Sequence, residues 1–140
     1  MAKFVAKAAE EYAIKLSQLE SANQREIAGR AIHDAADIVA DEVRGRLQSV
    51  IKGPSTGALA ASLGIAKMQE TADGYNVKIG FSGYDSKGVP NLLKARVMES
   101  GSSKQKKRPF MRPAVNATKK AAVEKMGEVI DEEIARIMNS

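Results

Sequence analysis

Two Arg-Pro steps, Arg108-Pro109 and Arg112-Pro113, constrain this chain more than any other feature. They close the stretch Glu99-Ser-Gly-Ser-Ser-Lys-Gln-Lys-Lys-Arg-Pro-Phe-Met-Arg-Pro-Ala114, in which a glycine-serine turn runs into a cationic segment. Proline fixes its own φ and pushes the preceding residue out of the α region, so Arg108 and Arg112 are both expected to be extended. The two prolines then form a stiff strap around Phe110. That ring is the natural anchor, because burying a phenyl group stabilises by about 1.5–3 kcal/mol. Pro113 suits the first turn of a following helix, where its missing N–H leaves nothing unpaired. Glu99 has two readings. It is either a solvent-facing end of its element, or a carboxylate that accepts from backbone N–H groups of the 101–103 turn or pairs with Arg108 or Arg112. Its place beside Gly101 favours the second.

Upstream the pattern is that of scaffold. Val5, Ala8, Tyr12, Leu16 and Leu19 recur at three- and four-residue steps and predict an amphipathic helix from about Phe4 to Leu19. Ser21 with Gln24 has the form of a capping box and opens a long helical pattern over 22–51. The apolar side of that pattern is rich in alanine, so a partner helix can approach closely while each contact buries little area. Gly29 and Gly45 each cost about 1 kcal/mol relative to alanine there, which predicts close packing or a bend at both. Asp34, Asp37, Asp41 and Glu42 read as a solvated face.

Lys52-Gly-Pro-Ser-Thr-Gly57 breaks the helical pattern. Beyond a short helical turn at 58–62, the segments 63–71 and 75–82 alternate as strands, and Ala72-Asp73-Gly74 supplies the hairpin turn between them. A lone hairpin is marginal in water, so its apolar face must pack on the helices or on a neighbouring subunit. Residues 90–99 fit a short helix or a third strand, with helix favoured by Pro90 and the scarcity of β-branching. A last helix is expected from about Pro113 to Met138, with Val123, Met126, Ile130, Ile134 and Ile137 on one stripe. The expected fold is α+β: long N-terminal helices, a small antiparallel hairpin or sheet, and a long C-terminal helix packed on it. One domain spans 1–140, with a helical part over 1–52 and an α+β part over 53–140.

The order Glu99-x-Gly101-Ser102, then Arg108-Pro109-Phe110-Met111-Arg112-Pro113-Ala114, then a long helix resembles the tail-completion, or neck, proteins of long-tailed phages and their prophages. A weaker match lies in Thr56-Gly57-Ala58-Leu59-Ala60-Ala61-Ser62-Leu63, which is similar to the segment preceding the small sheet in that family. The two matches and the spacing between them cover roughly residues 54–138. The resemblance implies a structural virion protein that forms a homo-oligomeric ring, of six subunits, at the head-tail junction, after assembly in the host cytoplasm. Its implied partners are the tail terminator, tail tube or head-closure proteins of the same phage. Glu99, Gly101, Arg108, Pro109, Phe110, Arg112 and Pro113 are then the expected subunit or partner interface. Phe110 would fill a pocket in its own or the adjacent subunit. Arg108 and Arg112 would bond carboxylates such as Glu99 or a neighbouring protein.

Composition narrows the chemistry. The chain has 140 residues, no cysteine and a single histidine, which argues against disulfides, thiol catalysis and a zinc site built from its own side chains. His33 on the long helix lacks a nucleophile or oxyanion-forming partner in the pattern and reads as a surface residue. The glycines do not form a phosphate loop. No cofactor, no metal and no enzymatic activity are expected. No apolar run approaches the about 20 residues of a membrane span, and no signal peptide is expected at the N-terminus. A net charge of +5 is compatible with nucleic acid as a partner. Lys104, Lys106 and Lys107, with Arg108 and Arg112, are the candidate contact with DNA or a protein partner, and the alternative function is an architectural DNA-binding protein using loop 104–112.

Charge along the last helix is polarised, with basic residues dominating from Lys104 to Lys125 and Glu128, Asp131, Glu132 and Glu133 dominating beyond. That order opposes the helix macrodipole. It is either an undirected surface distribution, or a heterologous contact in which the basic end of one subunit meets the acidic end of the next, the type that closes into rings.

Overall fold

The structure is a computed structural model, and it describes residues 3–5, 21–51, 57–72 and 74–139, with side chains from residue 23 onward. Among these the elements are, in order, strand β1 (Lys3–Val5), helix α1 (Ser21–Val50), one-turn helix α2 (Ala58–Ala61), strands β2 (Leu63–Ile65), β3 (Gln69–Thr71) and β4 (Gly74–Phe81), helix α3 (Asn91–Ser100) and helix α4 (Met111–Met138). The fold is α+β.

Alanine sets the approach of the two long helices. Ala31, Ala35 and Ala36 of α1 and Ala114 and Ala122 of α4 are fully buried, and Thr118 between them turns its hydroxyl back onto the Ala114 carbonyl at 2.7 Å. Small side chains let the backbones come close, and larger ones fill the space above and below. Val39, Val43 and Leu47 of α1 and Met126 and Ile130 of α4 serve that purpose. The helices are antiparallel, since Arg30 near the start of α1 pairs with Glu133 near the end of α4.

Strand β4 is the spine of an antiparallel sheet three strands wide. β1 lies along one edge, with Phe4 opposite Val77. β2 and β3 lie end to end along the other, with Ile65 opposite Ile79 and Glu70 opposite Tyr75. Val77, Ile79 and Phe81 alternate onto the face that joins the helical core. Thr71 pairs with Gly74, which leaves a two-residue turn, and Gly74 takes the φ of +122° that an L side chain avoids. Asp73 lies outside the described residues. Residues 90–99 resolve to helix α3 rather than a strand, because β4 already has partners along both edges.

Three expectations need correction. Phe4 and Val5 belong to β1, not to a helix. Their periodicity is compatible with a helix, but the free edge of β4 offers hydrogen bonds that periodicity cannot register. The remainder of that expected helix, 6–19, lies outside the described residues, as does the side chain of Ser21 in the expected capping box. Val123 is 43% exposed, because the buried stripe of α4 runs through Ala122, Met126 and Val129 instead. Small residues win the helix-facing positions and displace valine by one step. Finally, Gly29 has Met68 beside it, where an added Cβ would meet the thioether methyl at 3.5 Å, but Gly45 has nothing within 4 Å. A Cβ would be in ordinary van der Waals contact at Gly29 and in open space at Gly45, so close packing requires glycine at neither position.

Candidate functional site

The end of α3, the cationic loop and the start of α4 form one clamp around Glu99. A helix leaves its first four N–H groups without intrahelical partners. At α4 those positions are Phe110, Met111, Arg112 and Pro113, since the first helical bond runs from the Ala114 N–H to the Phe110 carbonyl. Glu99 Oε2 accepts from the N–H of Phe110 at 2.9 Å and of Met111 at 2.8 Å, while Oε1 accepts from Arg112 at 3.0 Å. Pro113 has no N–H to satisfy. One carboxylate from the preceding helix therefore caps the whole terminus, and it also opposes the positive end of the α4 dipole.

This geometry explains the titration of Glu99. Burial by itself pushes its carboxyl up, but the N–H groups of Arg112, Phe110 and Met111 and the charge of Arg112 outweigh it and hold the group below the usual glutamate range. The expectation that Glu99 accepts from backbone N–H groups is met, with different donors: those of the helix start, not those of the 101–103 turn. Arg112 is likewise helical rather than extended, because three bonds to one carboxylate outweigh the preference imposed by the following proline.

Gly101 makes the return possible. Its φ is +78°, its N–H donates to the Val97 carbonyl at 2.7 Å, and an added Cβ would stand 2.9 Å from the Lys107 nitrogen. The loop is then closed by Ser102, whose Oγ accepts from the N–H groups of Lys104 and Gln105, both at 3.2 Å. Arg108 N–H donates to the Met98 carbonyl at 2.7 Å, and Arg108 Nη1 donates to the Val50 carbonyl at the end of α1 at 2.6 Å. The expected carboxylate partner of Arg108 is thus replaced by a helix C-terminus, which offers the same negative potential without a second ionised group.

Phe110 fills a pocket of its own chain. It is 1% exposed and meets Phe81 edge to face, with centroids 6.0 Å apart and planes at 77°. Pro109, Arg112 and Lys104, Lys106 and Lys107 are exposed, and Pro113 is half-buried in the first turn of α4. An open cleft of about 690 Å³ lies beside the clamp, between α3, the start of α4 and the sheet.

Residues 82–88 read as a loop from sequence, but the bonding of Asp85 within it escaped sequence reasoning. Asp85 Oδ1 accepts from the N–H groups of Lys87 and Val89, each at 2.8 Å, and Oδ2 takes the Lys94 ammonium at 3.1 Å. The Val89 N–H and Lys94, aided by Lys87, hold its carboxyl below the usual aspartate range against a smaller opposing effect of burial. The signal was an aspartate preceding Gly88 in a turn-rich segment, a pattern that invites side-chain-to-backbone bonding. His33 is exposed on α1. Among the described residues no cluster of acidic or histidine side chains has a metal-binding arrangement, and no helix is long and apolar enough to cross a membrane. No protein-family model, curated protein or solved structure matches the chain.

Proposed function

We propose that this protein is a structural, self-assembling component of the tail-completion or neck type, which works by binding alone and forms a six-membered ring where a phage tail meets its head. The observation that carries this reading is the clamp. Glu99, Gly101, Arg108, Phe110 and Pro113, which carry the family resemblance, each satisfy a different requirement of one structural unit: a helix cap, a left-handed return, a tie to α1, a core anchor and a first-turn proline. Phe110 supports assembly indirectly, by holding the loop, while the outward-facing Pro109, Arg112, Lys104, Lys106 and Lys107 meet the partner. Neighbouring rings of terminator, tube or head-closure subunits are the fitting partners.

The test is native mass spectrometry and electron microscopy of the purified protein, alone and with isolated phage tails. A closed ring of about six subunits, or addition to the tail end, is expected from the symmetry of such assemblies. A monomer that ignores tails would overturn the reading. The exposed lysines of the held loop favour a second reading, architectural DNA binding. In that case affinity for arbitrary duplex falls with salt at a log-log slope of about −0.9 per phosphate neutralised, and replacing Lys104, Lys106 and Lys107 by glutamine abolishes it.

A further inference from the structure

Helix α4 has chemically complementary ends. At its start, the cleft beside the clamp is walled by Leu92, Val97, Met111 and Val115, and Arg96 and Arg112 stand at its rim. Both arginines are exposed. Arg96 makes no ion pair among the described residues, whereas the charge of Arg112 acts on the Glu99 carboxylate, which also accepts from three backbone N–H groups. The rim therefore carries one cation, Arg96, that makes no ion pair among the described residues, beside Arg112, whose charge is shared with Glu99.

At the far end, Glu128, Glu132, Ala135 and Met138 follow one another at helical spacing along the exposed side. Met138 is 76% exposed, the most of any large hydrophobic side chain among the described residues. Glu132 makes no ion pair among them, whereas its neighbour Glu133 is held by Arg136 and Arg30. At one end of α4 the exposed Met138 thus lies beyond the unpaired Glu132, with Glu128 held by Lys125 at 3.9 Å, and at the other an apolar cleft opens beside the unpaired Arg96.

These two surfaces cannot meet within one chain. At 1.5 Å per residue the 28-residue helix holds them about 40 Å apart, and its packing along α1 prevents folding back. We propose that the cleft receives the α4 tip of a second copy, with Met138 seated between Leu92 and Val115 and Glu132 and Glu128 against Arg96 and Arg112. The contact is heterologous, joining the head of one subunit to the tail of the next. This proposal rests on the self-assembly reading above and specifies its interface.

The experiment is sedimentation analysis of the full chain and of Arg96→Glu, Glu132→Arg, the combination of both, and Met138→Asp. All these side chains are exposed, so circular dichroism is expected to be unchanged. Each single variant is expected to weaken self-association about tenfold or more, and the double reversal to recover most of it. Self-association that is indifferent to the single variants, or a double variant no better than either, would overturn this interface and leave self-assembly standing through another. A wild-type chain that stays monomeric yet joins phage tails would overturn the second copy as occupant while sparing the neck reading. Laurate is the probe for a small-molecule site. Saturable laurate binding equal in wild type and Glu132→Arg, without competition from self-association, would assign the cleft to a ligand instead.

Discussion

Arg108 donates from Nη1 to the carbonyl oxygen of Val50 at 2.6 Å, so the residue that ends the cationic loop also closes the C-terminus of α1. The last carbonyls of a helix lack partners and carry partial negative charge, which a guanidinium satisfies at once. Arg108→Met keeps the length of the stem and removes the donor. A loss of about 1–3 kcal/mol is expected, read as a lowered denaturant midpoint at unchanged slope. A midpoint equal to wild type would show that this bond contributes nothing.

Glu99→Gln tests the cap. The amide keeps the shape but presents a single accepting oxygen to three N–H groups, and a destabilisation of about 1–3 kcal/mol is expected at neutral pH. The pH dependence follows from the lowered folded-state pKa. Stability from Glu99 is fully present above the ordinary glutamate value of the unfolded chain and is lost as pH falls through the folded value. Thermal unfolding should therefore show wild type and Glu99→Gln converging on acidification. Parallel curves from neutral to acid pH would refute the assignment.

Glycine in the left-handed region is strained when replaced, but only some sites are also crowded. Gly101 and Gly88 have similar φ values, +78° and +81°, yet an added Cβ meets backbone at 2.9 Å in the first and nothing within 4 Å in the second. Gly88→Ala is expected to cost about 1–2 kcal/mol from conformation alone. Gly101→Ala should cost more and should raise hydrogen-exchange rates at the N–H groups of 110–112, because the loop can no longer return to Glu99.

Gly45 offers the opposite sign. It sits within α1, exposed, with open space around it. Gly45→Ala should stabilise by about 0.4–1 kcal/mol, visible as a raised melting temperature. A fall would mean that the position has a contact beyond the described residues.

Phe110→Ala removes the anchor beneath the clamp. The cavity and the lost edge-to-face contact with Phe81 should cost about 3–5 kcal/mol, and Phe110→Leu clearly less. Equal losses for the two would argue that the ring is not the packed element.

Much of the architecture could be read from local pattern. The long helices announced themselves by periodicity, and β4 by alternation that the structure turns onto the core through Val77, Ile79 and Phe81. Phe110 as an anchor and Pro113 in a first turn also followed from residue type, since burial of a phenyl ring and the missing N–H of proline are properties a residue carries anywhere. The clamp was legible only as a set of candidates.

The sequence by itself determined which residues could act: an acid, a glycine, two arginines and two prolines around one aromatic ring. Only the tertiary structure decided what each acts upon. Glu99 takes the start of α4 rather than the adjacent turn, Arg108 takes the end of α1 rather than a carboxylate, and Phe4 joins a sheet rather than a helix. Propensity and backbone restriction are local, whereas an unpaired N–H or carbonyl is satisfied by whatever the packed chain brings within about 3 Å, and that choice is made across tens of residues.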